Sequence, residues 1–218
     1  MDRSQGGARS RFIEAHELSH KIIASHETLV RLDDEGRLFG RVKRAIEHEA
    51  DLGAAELLFQ GDLFVRRALE FRVSIAAPIG LAPDFGASLT AAVRHYADYH
   101  PDPVAVIVAG KFLRTNRCVP IWDTHESPSF RGQFGPAAAV FPAGVPASDL
   151  HEHPAGAIVH EALAYGEIAE GDVELLDLRA EPRKLVVEAF CNQYLSLIML
   201  TEKRASKTIG RRIDVRAG

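Results

Sequence analysis

His16-Glu17-Leu18-Ser19-His20 sets two imidazoles four positions apart, with a carboxylate directly after the first. On a helix, residues i and i+4 share one face, so both rings can reach a single tetrahedral Zn2+. A water on such a metal has its pKa lowered to roughly 7, and Glu17, beside a ligand, is placed to take its proton. A zinc site needs a third protein ligand, and Glu47-His48-Glu49-Ala50-Asp51 offers one. Glu47 and Asp51 are again i and i+4. Glu47 can bind the metal while Asp51 accepts from the far nitrogen of a ligating histidine and fixes its tautomer. His26 competes for the third place, in the register of H-E-x-x-H-x-x-G-x-x-H, but the glycine that breaks the helix in that pattern is Ile23 here. An unbroken helix carries His26 away from the metal and leaves it an exposed histidine. Glu49 points roughly 160° from Glu47 by the helical turn, and serves only if its helix rotates.

Two helices joined by a turn must bring these faces together, and the sequence allows them. None of the 11 prolines precedes Pro78, and eight lie between Pro101 and Pro154. Proline removes a donor and clashes inside a helix, so the first 77 residues can be mostly helical and the middle cannot. Ala15, Leu18 and Ile22 recur at helical spacing and predict a helix from about Ser10 to Val30, with Ser10 as its cap. Arg31 to Gly36 reads as a turn, and a second helix is expected from about Leu38 to Leu58. Phe71 to Ile75 is expected to be a short strand or loop, and Asp84 to His100 a helix. Pro103 to Gly110, a β-branched run between breakers, predicts a buried strand. Ala157 to Ile168, Asp172 to Leu178 and Leu185 to Leu200 are further elements, the last readable as strand or helix. The expected fold class is α+β: a mainly helical domain over 1–102, then a mixed α/β domain over 103–218.

Composition narrows the function. The 218 residues are 46% apolar and 26% charged, ordinary for a globular chain. Lys plus Arg is 26 against 30 for Asp plus Glu, a net charge of −4. That gives no basic field of the kind nonspecific nucleic-acid binding uses, so direct DNA binding is not expected. Cys118 and Cys191 cannot make a disulfide framework, which points to a reducing, cytoplasmic protein with inert thiols. No apolar run approaches the ~20 residues of a membrane span, and the N-terminus lacks the apolar core of a secretory signal. A membrane partner is therefore not expected.

Longer blocks around the chemical residues are familiar. Arg11-Phe12-Ile13-Glu14-Ala15-His16-Glu17-Leu18-Ser19-His20 resembles the R-F-x-x-A-H-E-L-G-H block of the ImmA/IrrE metallopeptidases, with Ser19 where the family has Gly. Glu47-His48-Glu49-Ala50-Asp51-Leu52-Gly53-Ala54-Ala55-Glu56-Leu57-Leu58 is similar to the family's E-x-E-A-(N/D)-x-(F/G)-A-A-E-L-L block. Leu81-Ala82-Pro83-Asp84-Phe85-Gly86-Ala87-Ser88-Leu89-Thr90-Ala91-Ala92 resembles its LAxxFGVSxxAA segment. The three blocks, in the family's order, cover roughly residues 9 to 108. The resemblance implies a zincin-like N-terminal domain, a cytoplasmic zinc endopeptidase, and a helix-turn-helix transcriptional repressor as the protein substrate whose cleavage releases stress-response or mobile-element genes. Carried onto this chain, it implies His16, His20 and Glu47 as zinc ligands, Glu17 as general base and Asp51 behind a ligand. It also implies, for some members, a sensory C-terminal domain resembling a GAF fold. The rival reading, from another class, is a noncatalytic metal-binding or ligand-sensing regulatory protein that acts by binding a partner.

Other signals are read more plainly. His151, His153, His160 and Glu161 form a second cluster, expected to be a surface loop rather than a second metal site. Trp122 is expected in the core. Arg94, His95, Tyr96 and His100 are expected on a plain helix face, although one of them could polarise a scissile carbonyl. The basic tail after Glu202 is expected to be a solvated terminus.

Overall fold

The proline-free stretch folds into helices. A computed structural model describes residues 3–26, 28, 40–110, 121–140, 158–159, 161–162, 167–192 and 194–202. By internal contacts the chain divides into two units, Met1–Arg66 with Leu81–Ser88, and Arg67–Gly80 with Leu89–Gly218. The architecture is α+β, with helices in the N-terminal part and an antiparallel sheet in the C-terminal part.

In the first unit α1 (Arg3–Ile22) packs along α2 (Gly40–Phe59). The buried stripe of α2 is Ile46, Ala50 and Ala54, four residues apart on one face. Small side chains let the helices approach closely. Ser19 is buried against α2, its hydroxyl donating to the Ala15 carbonyl at 2.8 Å. A Cβ on Gly53 would stand 2.7 Å from Ser19 Oγ and 2.9 Å from Ser19 Cβ, so only glycine fits there. α2 ends as Gln60 and Gly61 turn left-handed (φ 56° and 62°) and the Gly61 N–H returns to the Glu56 carbonyl at 2.9 Å. Phe59, Phe64 of α3 (Leu63–Ala68) and Phe85 then pack ring on ring, with centroids 4.9 and 5.1 Å apart along the series. Gly86 has φ +61°, and the Arg11 guanidinium occupies the space a side chain would need. Arg11 and Gly86 thus meet from two segments far apart in sequence.

In the second unit five strands, β1 (Val104–Gly110), β2 (Ile121–Glu126), β3 (Ala169–Leu176), β4 (Pro182–Cys191) and β5 (Leu195–Glu202), lie in the order β2-β1-β5-β4-β3, each pair antiparallel. The chain also forms α4 (Ala76–Leu81) and, in the second unit, α5 (Leu89–Tyr99), which packs on β1 and β2. Ala105, Ile107, Leu185, Val187, Ile198 and Leu200 line one core together with Phe130 and Phe134 of α6 (Pro128–Phe134). Residues of opposite parity, Val106, Val108, Leu197 and Met199, are buried too, as are Ala92, Val93 and Tyr96 of α5. A strand covered on both faces reads as a continuous apolar run, which is why β1 was visible in the sequence. The four-residue α7 (Ala137–Val140) follows α6. No helix among the described residues is long and apolar enough to cross a membrane.

Several expectations need correction. α1 begins before Ser10, which lies inside it and donates to Glu14 at 3.2 Å instead of capping. It is interrupted at Ile23, where the chain bends, and residues 24–26 and 28 are helical again: the Ile23 N–H still reaches Ser19 O (3.0 Å), and the His26 N–H bonds Ile23 O (2.9 Å). The helix expected from Asp84 starts at Leu89, after the turn at Gly86. Leu185 to Leu200 is two strands, because Asn192 Oδ1 accepts from the N–H groups of Tyr194 (2.8 Å) and Leu195 (2.9 Å) and folds the chain back. Trp122 is 58% exposed, not core. Val108 faces Asp123 and Ala109 faces Ile121, so Trp122 is the extra residue of a β-bulge on an edge strand, turned outward.

Candidate metal centre

The antiparallel pairing of α1 and α2 sets the site. His16 meets Asp51 at 2.9 Å (Nδ1 to Oδ1); one turn on along α1, and one turn back along α2, His20 faces Glu47. The two His Nε2 atoms stand 3.1 Å apart, with their rings edge to face and centroids 4.7 Å apart. Glu47 Oε2 lies 3.3 Å from His16 Nε2 and 3.8 Å from His20 Nε2. The two imidazole side chains are 18% exposed and Glu47 is 51% exposed, so the cluster is walled on the helix side and open to solvent on the other.

Hydrogen-bond direction gives these distances meaning. An ionised carboxylate only accepts, so Asp51 requires the proton of His16 on Nδ1. His16 Nε2 then presents a lone pair, and it faces a carboxylate oxygen at 3.3 Å. Acceptor then faces acceptor at that distance, an arrangement that a cation between them, a metal ion or a proton, would stabilise. The donor set fits zinc: two imidazoles and one carboxylate, with a solvent-open side for a fourth position. A tetrahedron built on bonds of about 2.0–2.2 Å has edges of about 3.3–3.6 Å, and the three observed edges are 3.1, 3.3 and 3.8 Å. Of the described residues, His16, His20 and Glu47 form the group able to hold such an ion.

Each residue singled out in the sequence has a definite place. Glu17 is exposed on α1, next to His16, and its carboxylate has no hydrogen bond or ion pair among the described residues. Asp51 stands behind His16, as the i, i+4 pairing with Glu47 predicted. His95, Tyr96 and His100 are buried in the second unit, and Arg94 pairs with Asp123 at 2.8 Å, so this is not an open helix face. Of the second histidine cluster only Glu161 lies among the described residues, where it is exposed; His151, His153, His160, Cys118 and the tail after Glu202 lie outside them.

The histidine most altered from expectation is His26. It is fully buried, not exposed: the chain bends at Ile23 and His26 lies on the short helical stretch beyond the bend. Its Nδ1 lies 3.0 Å from His20 Nδ1, the rings 5.0 Å apart between centroids, and its Nε2 lies 3.0 Å from Glu49 Oε2. Glu49 points away from the ligand group, as its helical phase relative to Glu47 predicted, and faces His26 while Glu47 faces the paired imidazoles. No glycine or proline marks the break, so periodicity alone could not find this contact.

The second unit holds a separate polar network. Glu188 of β4 is 3% exposed, accepts from the Ile75 N–H at 2.5 Å and pairs with Arg72 at 3.1 Å. Burial raises its pKa, opposed by the Ile75 N–H and by Arg72. His125 lies between Asp98 (3.0 Å) and Asp123 (3.2 Å). Burial lowers its pKa, but the bonds and charges of the two aspartates outweigh this and leave it raised.

No protein-family model matches the chain, and no curated protein matches it. Among solved structures it is similar in fold to a Mycobacterium tuberculosis transcriptional regulator, with 13% identity over 95% of this chain and 70% of that one and a TM-score of 0.48.

Proposed function

We propose that this chain is a cytoplasmic zinc-dependent endopeptidase of the ImmA/IrrE kind, which hydrolyses a peptide bond in a helix-turn-helix transcriptional repressor and so derepresses stress-response or mobile-element genes. The observation that carries this reading is the convergence of His16 Nε2, His20 Nε2 and Glu47 Oε2 near tetrahedral edge lengths, with Asp51 bonded to one imidazole and Glu17 beside it, without a partner among the described residues. The meeting of Arg11 and Gly86, from the first and third blocks of the family resemblance, also supports it. The five-stranded antiparallel sheet formed by strands between Val104 and Glu202 supports reading 103–218 as a sensory, GAF-like domain.

Zinc held there supplies Lewis acidity that polarises a peptide carbonyl and brings the pKa of a water near 7. The chain's own groups do the rest. His16, His20 and Glu47 fix the ion, and Asp51 keeps the His16 lone pair aimed at it. Glu17 accepts the proton of the attacking water and returns it to the departing amine nitrogen, so one water is consumed for each peptide bond broken.

The test is incubation of the full chain and zinc with candidate helix-turn-helix repressors, followed by mass analysis. A single cut made by the wild type, and lost by about 10²–10⁴-fold in Glu17→Gln with zinc content unchanged, is the expected result. Undiminished cutting by Glu17→Gln removes Glu17 as the base. Zinc binding with no cut by the wild type favours the noncatalytic regulatory reading instead.

A further inference from the structure

His26 and Glu49 continue from the candidate ligand His20 as an unbroken line of polar contacts. From the outside inward, Glu49 is 56% exposed and its carboxylate can only accept, so the 3.0 Å contact with His26 Nε2 requires the proton there. A neutral His26 then has its lone pair on Nδ1. That lone pair faces His20 Nδ1 at 3.0 Å, so His20 must carry its proton on Nδ1 and donate. His20 Nε2 is left as a lone pair, 3.1 Å from the lone pair of His16 Nε2. In this direction the relay needs no metal for its deduction, and it produces three acceptors around one point where the Asp51 contact alone produced two.

The local structure serves this arrangement. The chain bends at Ile23, the His26 N–H bonds Ile23 O, and the His26 ring occupies a fully buried place between His20 and Glu49. A buried imidazole with an unpaired ring nitrogen costs about 1–3 kcal/mol, and here both nitrogens are used. His16 and His20 are thereby directed by different devices: an aspartate one helix away for the first, and a histidine backed by a glutamate for the second.

We propose that Glu49 and His26 are positioning residues, a relay that holds His20 as its Nδ1–H tautomer and turns its Nε2 lone pair toward the cation; the purpose assigned to it rests on the zinc reading above. Polar partners behind a metal-ligating histidine typically change metal affinity by about 10–100-fold when removed.

The test uses the full chain, histidine-labelled with 15N, and two readouts. In metal-free protein, long-range proton–nitrogen correlation spectra report which nitrogen of His20 carries hydrogen. Competition against a chromophoric chelator reports zinc affinity. The wild type is expected to show the Nδ1–H tautomer. Glu49→Ala, at an exposed position that leaves no core cavity, is expected to mix the tautomers and weaken zinc binding about 10-fold. Glu49→Gln keeps an acceptor oxygen and is expected to restore both readouts, a rescue that a merely structural role would not give. His26→Phe, checked for folding by circular dichroism, should lose about 10–100-fold. An Nε2–H tautomer in the wild type, or zinc binding by Glu49→Ala as tight as wild type, overturns the relay while leaving the zinc reading in place. A wild type that binds no zinc yet holds the Nδ1–H tautomer supports the relay and removes the zinc reading.

Discussion

Gly53→Ala is the perturbation whose consequence can be worked furthest from the geometry. The added Cβ would lie 2.7 Å from Ser19 Oγ and 2.9 Å from Ser19 Cβ. Rotating the serine relieves the first contact, at the cost of its bond to the Ala15 carbonyl. It cannot relieve the second, because Cβ is fixed to the backbone of α1. The helices must therefore part by about 0.5 Å to reach ordinary 3.4 Å contact. Overpacking of this kind costs about 1–3 kcal/mol, and alanine's better helix propensity returns about 1 kcal/mol. Net destabilisation of about 0–2 kcal/mol is expected in urea unfolding. The interaction itself is isolated by a cycle with Ser19→Gly, which should return a coupling of about 1–3 kcal/mol. Parting the helices also moves Glu47 and Asp51 away from His16 and His20. Metal sites tolerate about 0.2 Å, so zinc affinity should fall at least about 10-fold, or 1.4 kcal/mol. A Gly53→Ala protein that is more stable than wild type, binds zinc equally and shows no coupling to Ser19 would refute the close approach of the two helices.

Two further outcomes follow from named contacts. Asp51→Ala should weaken zinc binding about 10–100-fold by chelator competition, whereas Asp51→Asn, which keeps an oxygen to accept from His16 Nδ1–H, should stay near wild type; equal affinities for all three proteins would remove Asp51 from the site. His125 has its folded pKa raised above 6.5, so its contribution to stability is full below that pH and is lost as pH rises through the folded value. The unfolding free-energy gap between wild type and His125→Gln should shrink on going from pH 6 to pH 9, and a gap that widens would contradict the pairing with Asp98 and Asp123.

What the sequence revealed was what local periodicity records. The clustering of His16, His20, Glu47 and Asp51 was legible because i, i+4 spacing fixes a face and two such faces have one simple way to meet. β1 was found because a strand covered on both sides is apolar throughout. The contact between His26 and Glu49 was missed because the helix bends at Ile23 with no glycine or proline to mark it; the burial of the His26 ring and its contacts with His20 and Glu49 are tertiary. Trp122 was misplaced because a bulge shifts parity by one residue, which depends on the register against β1 and leaves no trace in β2 itself. The β4–β5 turn rests on the single side chain of Asn192, too little to split an apolar run by pattern alone.

The most direct measurement is the zinc content of the purified full chain after equilibration with excess zinc and dialysis. About one zinc per chain in the wild type, and next to none in His16→Ala, is expected from a single site of three protein ligands. A wild type that retains no zinc, or a His16→Ala protein that retains as much, would contradict the convergence of His16, His20 and Glu47 on a common ion.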